Sequence, residues 1–303
     1  MRIRFSRIDA MLLVMTLIWG SNFVIVKTAM REIPEYGFGS LRLLLAAVLF
    51  LVVLERAGGV RASASRVSAR DWRQLFVLGI VGHSIYQVLF LGGVARTSVA
   101  NSSLIFGCTP IVISLLSAYA GHERITAWRW AGVGLSFVGI YLVVSQARTE
   151  GATLTGDLLI LGAVGMWAAF TIGSRPLLTR HTPLVLTGFT MVIGAVAYLP
   201  LGIPSLVGFE WSSVSGMAWI GLIYSAVFAL VVAYLIWYTA VQRLGNSRTS
   251  LYSNVVPLVA MTIAAVTLGE PLTPRKIAGA IAVLIGLGLT RVERRASAPP
   301  AEA

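Results

Sequence analysis

His83, Tyr86, Gln87 and Phe90 fall at i, i+3, i+4 and i+7 of one long apolar stretch, the spacing that lines a single helix face. An imidazole, a phenol and a carboxamide so placed can hold a solute by hydrogen bonds. The imidazole, with an ordinary pKa of about 6.5, can also carry a proton. Trp19, Asn22, Phe23 and Val26 share a face in the first apolar stretch, Trp167, Phe170, Thr171 and Ser174 in the sixth, and Tyr234, Trp237 and Tyr238 stand in the eighth. Simple helix packing would use aromatics too. Tryptophan in membranes, however, collects at the water interface, whereas Trp19 and Trp167 fall near the centres of their stretches. Trp19, Asn22, His83, Tyr86, Gln87, Trp167, Tyr234 and Trp237 are therefore predicted to line a substrate cavity at mid-depth. Aromatic walls with a few polar groups suit an amphipathic solute carrying an apolar side chain.

Other polar residues point to structure rather than reaction. Asp9, Glu55, Glu123, Asp157 and Glu270 lie at the ends of apolar stretches, so no acidic relay of the kind used by many proton-driven pumps crosses the centre. Facilitated exchange is as credible as proton coupling through His83. Glu123 and Glu270 precede helices and can cap backbone N–H groups. Arg42 leaves two readings open: a side chain reaching the interface, or an attractor for a substrate carboxylate. Pro110 and Pro257 each delete a helix hydrogen bond within a stretch and are predicted hinges. No HExxH, GxSxG or clustered acids occur, and His83, His122 and His181 are scattered. A lone Cys108 makes no disulfide or cysteine-rich metal site. The expectation is no catalytic residue, no metal, no cofactor and no enzymatic reaction.

The elements that must position these residues follow from composition. The 303 residues are 57% hydrophobic and 12% charged, with mean hydropathy +0.83. A soluble domain carries about 25% charged residues. Apolar stretches at 9–28, 38–55, 72–93, 98–120, 127–146, 157–174, 184–203, 213–238, 245–268 and 275–292 approach the length of about 20 residues that spans a bilayer. The net charge of +12 belongs to arginines in the connecting loops, so membrane topology explains it better than nucleic acid does. Of the 24 Lys and Arg residues, seventeen fall in one alternate set of loops and termini, six in the other, and Arg42 within a stretch. By the positive-inside rule both termini are cytoplasmic. The start, MRIRFSR before apolar residues, reads as a retained first helix because no clear cleavage site follows.

The second half repeats the first. Arg96, Ser103, Leu104, Pro110, Glu123, Thr126, Gly132 and Gly139 return 147 residues later as Arg243, Ser250, Leu251, Pro257, Glu270, Thr273, Gly279 and Gly286. At an offset of 148, Asp9, Trp19 and Lys27 return as Asp157, Trp167 and Arg175. Five stretches per copy is an odd number, so the copies must enter the membrane from opposite sides, a plan many transporters use. The expected architecture is an all-α membrane protein of ten transmembrane helices in two inverted five-helix repeats, residues 1–148 and 149–293. A disordered cytoplasmic tail at 294–303 follows.

The residues "LIWGSNFVIVK" at 17–27 and "LRLLLAA" at 41–47, with the paired stretches 96–143 and 243–289, resemble the EamA-type members of the drug/metabolite transporter superfamily. In both paired stretches a small, polar helix start leads to a Pro, then to Gly-Glu or His-Glu, then to a glycine-dotted helix. His122, where the second copy has Gly269, is one departure. The resemblance implies a multi-pass inner-membrane carrier working as a monomer or weak dimer in the lipid bilayer on a small-molecule substrate. Export of aromatic or hydrophobic amino acids, or related amphipathic metabolites, is the favoured activity. A multi-compound drug efflux carrier is the alternative, and an intramembrane enzyme a more distant one.

Overall fold

The computed structural model describes residues 6–119, 127–144, 153–244, 249 and 252–292. His122, Glu123, Thr126, Ser250, Leu251 and the tail at 294–303 lie outside the described residues, so the expectations attached to them rest on sequence alone. Among the described residues the regular elements are all helices: α1 Arg7–Ala29, α2 Glu35–Arg56, α3 Val60–Ser65, α4 Ala69–Arg96, α5 Val99–Phe106 and α6 Thr109–Tyr119. They continue with α7 Ala127–Val144, α8 Leu154–Leu178, α9 Pro183–Leu206, α10 Gly216–Leu244, α11 Val255–Leu268 and α12 Pro274–Val292.

Helix starts sit where the sequence offers a short polar side chain to the orphan N–H groups of the first turn. Ser6 accepts from the Asp9 N–H while Asp9 accepts from the Ser6 N–H, a reciprocal box that opens α1. Ser68, Ser98, Thr153, Thr182 and Ser215 cap α4, α5, α8, α9 and α10 in the same way, each through its hydroxyl.

Helices α1, α2, α4, α8, α9 and α10 are long and apolar enough to cross a membrane, judged by length and composition; α11 and parts of α5–α7 are shorter apolar segments. Packing pairs one half of the chain with the other. Helix α1 lies on α10 and α11, as α8 lies on α4, α5 and α6; α2 packs on α9, and α7 on α12. The last pair approaches closely because its interface is small. A Cβ at Gly139 would stand 2.7 Å from the Gly279 carbonyl oxygen, and one at Gly286 would collide with Gly132 and Ser136.

Two features depart from the sequence expectation. The stretch 98–120 is not one helix: it breaks at Gly107–Cys108, between α5 and α6. Pro110 therefore sits in the first turn of α6 and Pro257 in the first turn of α11, not in mid-helix. The cause is the missing N–H and the clash of each ring with the carbonyl four residues back, which end the preceding helix just upstream. The Phe106 carbonyl instead accepts from the Thr109 hydroxyl, at 2.5 Å. The second departure is a π-helical turn inside each long central helix, at Ile80–Ile85 in α4 and Ser225–Val232 in α10. Nothing in the residue types announced them.

Candidate functional site

At the crossing of α1, α4, α5, α8 and α10 the aromatic side chains meet in one cluster. Trp19 and Trp167 stand edge to face with centroids 5.7 Å apart, and Trp19 lies 5.5 Å from Trp237. Tyr234 is 5.3 Å from Trp167, and Tyr86 is 5.8 Å from it. Phe23, Phe90 and Phe106 continue the wall on the other side. Edge-to-face pairs align the positive ring edge with the negative face of the neighbour and hold the rings in fixed orientations.

These rings enclose a cavity of about 50 Å³, room for a few water molecules. Six of the eight residues predicted to bind substrate line it: Trp19, Asn22, Tyr86, Trp167, Tyr234 and Trp237. Pro110 lines it too, with Gly107 and Thr109 at the helix break, and the Pro257 ring lies against Gly107, so the break in one half abuts the first turn of α11 in the other. In this conformation the free space is of the order of a few waters, so seating a whole aromatic amino acid requires the walls to part.

The π turns explain which residues face inward. A π turn lengthens the loop of backbone per hydrogen bond and frees a carbonyl from the ladder. In α10 the Ala229 carbonyl accepts from the Trp19 indole N–H at 3.1 Å, and one turn away the Ser225 hydroxyl donates to Asn22 Oδ1 at 2.7 Å. Those two bonds fasten α1 to the bulge. In α4, residues within the π turn advance less around the axis than α-helical spacing assumes. His83 and Tyr86 then no longer share a face.

His83 and Gln87, both predicted to touch substrate, accordingly stand one layer behind the cavity wall. The His83 ring packs 5.4 Å from Tyr234 and 5.0 Å from Phe170, and its Nε2 is 3.2 Å from the Thr190 hydroxyl. That hydroxyl donates to the Leu186 carbonyl at 2.7 Å, so Nε2 is assigned as the donor toward it. His83 Nδ1 and both amide atoms of Gln87 have no hydrogen-bond partner among the described residues. Both side chains are 1% exposed, and the His83 ring packs on Tyr234, a residue of the cavity wall.

Arg42, left open by the sequence, lies in the cavity wall and is 2% exposed. Its guanidinium sits 5.7 Å from the Phe38 ring, one turn earlier on α2. The reach to an interface is thereby excluded in this conformation.

Charged groups at the helix ends fasten one half to the other. Glu270, expected to cap the helix that follows it, caps α5 of the other half instead: its carboxylate accepts from the N–H groups of Val99 and Ala100 at 2.8 and 3.1 Å. Gly269, at φ +66°, turns the chain out of α11 to deliver it. Asp157 accepts from the Thr97 hydroxyl at 2.5 Å across the halves; within the first half Lys27 donates to the Val94 and Thr97 carbonyls at 2.9 and 2.5 Å. Among the described residues no group of His, Cys, Asp and Glu is arranged to hold a metal ion.

Comparison with known proteins places this arrangement. A solved crystal structure superimposes with a TM-score of 0.68 over 97% of this chain and 100% of its own, at 17% identity, a likeness of fold. An uncharacterized transporter of Bacillus subtilis, YyaM, is 30% identical over 91% of each chain. A probable terminal-alkyne amino-acid exporter of Streptantibioticus cattleyicolor is 30% identical over 91% of each chain. A probable amino-acid metabolite efflux pump of Salmonella typhimurium is 28% identical over 93% of this chain and 94% of its own. The EamA-like transporter family matches twice, at residues 6–145 and 154–292. With its apolar helices and a site walled by both matched segments, the chain is a multi-pass membrane protein that belongs to the EamA-like transporter family.

Proposed function

We propose that the chain exports amino acids with aromatic or other apolar side chains, or closely related amphipathic metabolites, by alternating access and without covalent change. The observation that carries this reading is the aromatic cavity, walled by Trp19, Tyr86 and Phe90 from the first half and Trp167, Tyr234 and Trp237 from the second. A pocket built from both halves can change its access when the halves rock against each other. The probable terminal-alkyne amino-acid exporter and the probable amino-acid metabolite efflux pump, at 30% and 28% identity, support the substrate class. In this reading ten helices form two inverted repeats, divided near residue 148, with both termini cytoplasmic and the inner membrane as the location.

Purified protein in proteoliposomes should catalyse saturable counterflow of labelled phenylalanine, suppressed by unlabelled leucine and tryptophan and little affected by aspartate. Flux no faster than in protein-free vesicles for every apolar amino acid would remove the reading. Orientation has its own test. Cys108 is buried, so single cysteines introduced at Ser63 and Val207 can be read against a low background. In intact cells an impermeant maleimide should label the Val207 site and spare the Ser63 site. The reverse pattern would invert the topology.

A further inference from the structure

Resting on the carrier reading, we propose that Arg42 makes the cavity a receptor for carboxylates, and that a substrate's amino group is dispensable. Arg42 is 2% exposed and lines the cavity, and its Nε and Nη1 have no hydrogen-bond partner among the described residues. None of the lining residues is acidic. The nearby carboxylates are engaged at helix ends: Glu35 with Arg96, Asp157 with Thr97, Glu270 with the start of α5. The corresponding stretch of the second half, Leu186–Met191, carries no charge, so the cation is not a product of the repeat.

An unpaired buried charge is among the most costly things a protein can hold, and the Phe38 ring offsets only a fraction of that cost. An apolar residue would pack the same space more cheaply. A guanidinium in the wall of an aromatic cavity, with two nitrogens buried and unpaired, is matched by a carboxylate, which takes two parallel hydrogen bonds from its planar fork. Tyr86 and Tyr234 line the cavity together with the guanidinium.

The ammonium end has no charged seat: among the described residues that line the cavity none is a carboxylate, which leaves it only uncharged oxygen acceptors. Aromatic faces remain for a cation, a weaker attraction. The ligand class is therefore an aromatic or branched monocarboxylate, of which an amino acid is one case and its deaminated counterpart another.

Three probes of one shape separate the terms: phenylalanine, 3-phenylpropanoate and phenylalanine amide, each competing for binding to the purified protein and each measured for counterflow. In the wild type the two acids should bind about 10- to 100-fold more tightly than the amide, the span expected for charge-assisted hydrogen bonds. In Arg42→Gln the preference should collapse to within about threefold through loss of acid affinity, with amide binding retained as the check on folding. Arg42→Lys should keep part of the preference, having the charge without the fork. If the wild type binds the amide as well as the acids, or Arg42→Gln keeps the acid preference, the inference falls while the carrier reading stands. If none of the three probes is bound or carried, both fall together.

Discussion

Changing Glu270 to Ala is expected to open the junction between the two halves at the start of α5. That helix is eight residues long, and its first-turn N–H groups depend on side chains outside it. Ser98 takes the Asn101 N–H, while Glu270 takes those of Val99 and Ala100. A capping side chain contributes about 0.5–2 kcal/mol, and hydrogen bonds to a charged group about 1.5–3 kcal/mol. The truncation should therefore cost about 2–4 kcal/mol locally, which corresponds to about 30-fold or more in the population of the opened junction. A cysteine at Val99, a buried position, should react with a small maleimide faster by that factor, and the apparent melting temperature in detergent should drop. Glu270→Gln keeps one acceptor oxygen and should fall between. Asp157→Asn weakens the same turn through Thr97, so its effect and that of Glu270→Ala should not add. Unchanged labelling and unchanged melting in Glu270→Ala would show that the two hydrogen bonds contribute nothing net.

That junction also marks where reading the sequence stopped. Span positions were legible because hydrocarbon demands long apolar runs, and the repeat was legible because matching residues recur at one offset. Trp19 and Trp167 could be named because mid-depth departs from the interfacial habit of tryptophan, Tyr86 from its spacing to His83, and Tyr234 and Trp237 as aromatics of the eighth stretch. Glu270 could be recognised as a cap, but not as the cap of a helix 171 residues earlier, since only packing of the halves brings them together. His83 and Gln87 were assigned to the cavity by assuming α-helical spacing through Ile80–Ile85. The π turn there shifts the register and has no residue signature. Arg42 was ambiguous because its depth in the sequence, a few residues into a span, allows either a reach to water or burial. Only its burial in the cavity wall, 2% exposed, decides which.

Trp167→Ala is expected to change what the cavity selects, not merely how tightly it binds. Trp167 is 3% exposed and touches the rings of Trp19, Tyr86 and Phe106 from the first half and of Tyr234 and Trp237 from its own. Removing so large a buried ring costs about 3–5 kcal/mol of stability where the surroundings cannot collapse. Loss of its face from the pocket should also weaken phenylalanine binding by about tenfold or more, since an aromatic pair contributes about 0.5–1.5 kcal/mol beyond the area it buries. A purely structural defect would depress every solute alike. A substrate-contacting ring predicts something else: the space vacated admits a larger aromatic, so naphthylalanine should lose less affinity than phenylalanine, and the order of the two should narrow or reverse. Trp167→Phe, which keeps an aromatic face in a smaller volume, should restore most of the phenylalanine affinity. Trp19→Phe should not behave the same way, because that change also leaves the Ala229 carbonyl without its indole donor and loosens α1 from the π turn of α10. Competition curves for alanine, phenylalanine and naphthylalanine on the three variants decide the matter. Equal losses for all three solutes in Trp167→Ala would assign that ring to packing alone and move the substrate elsewhere in the cavity.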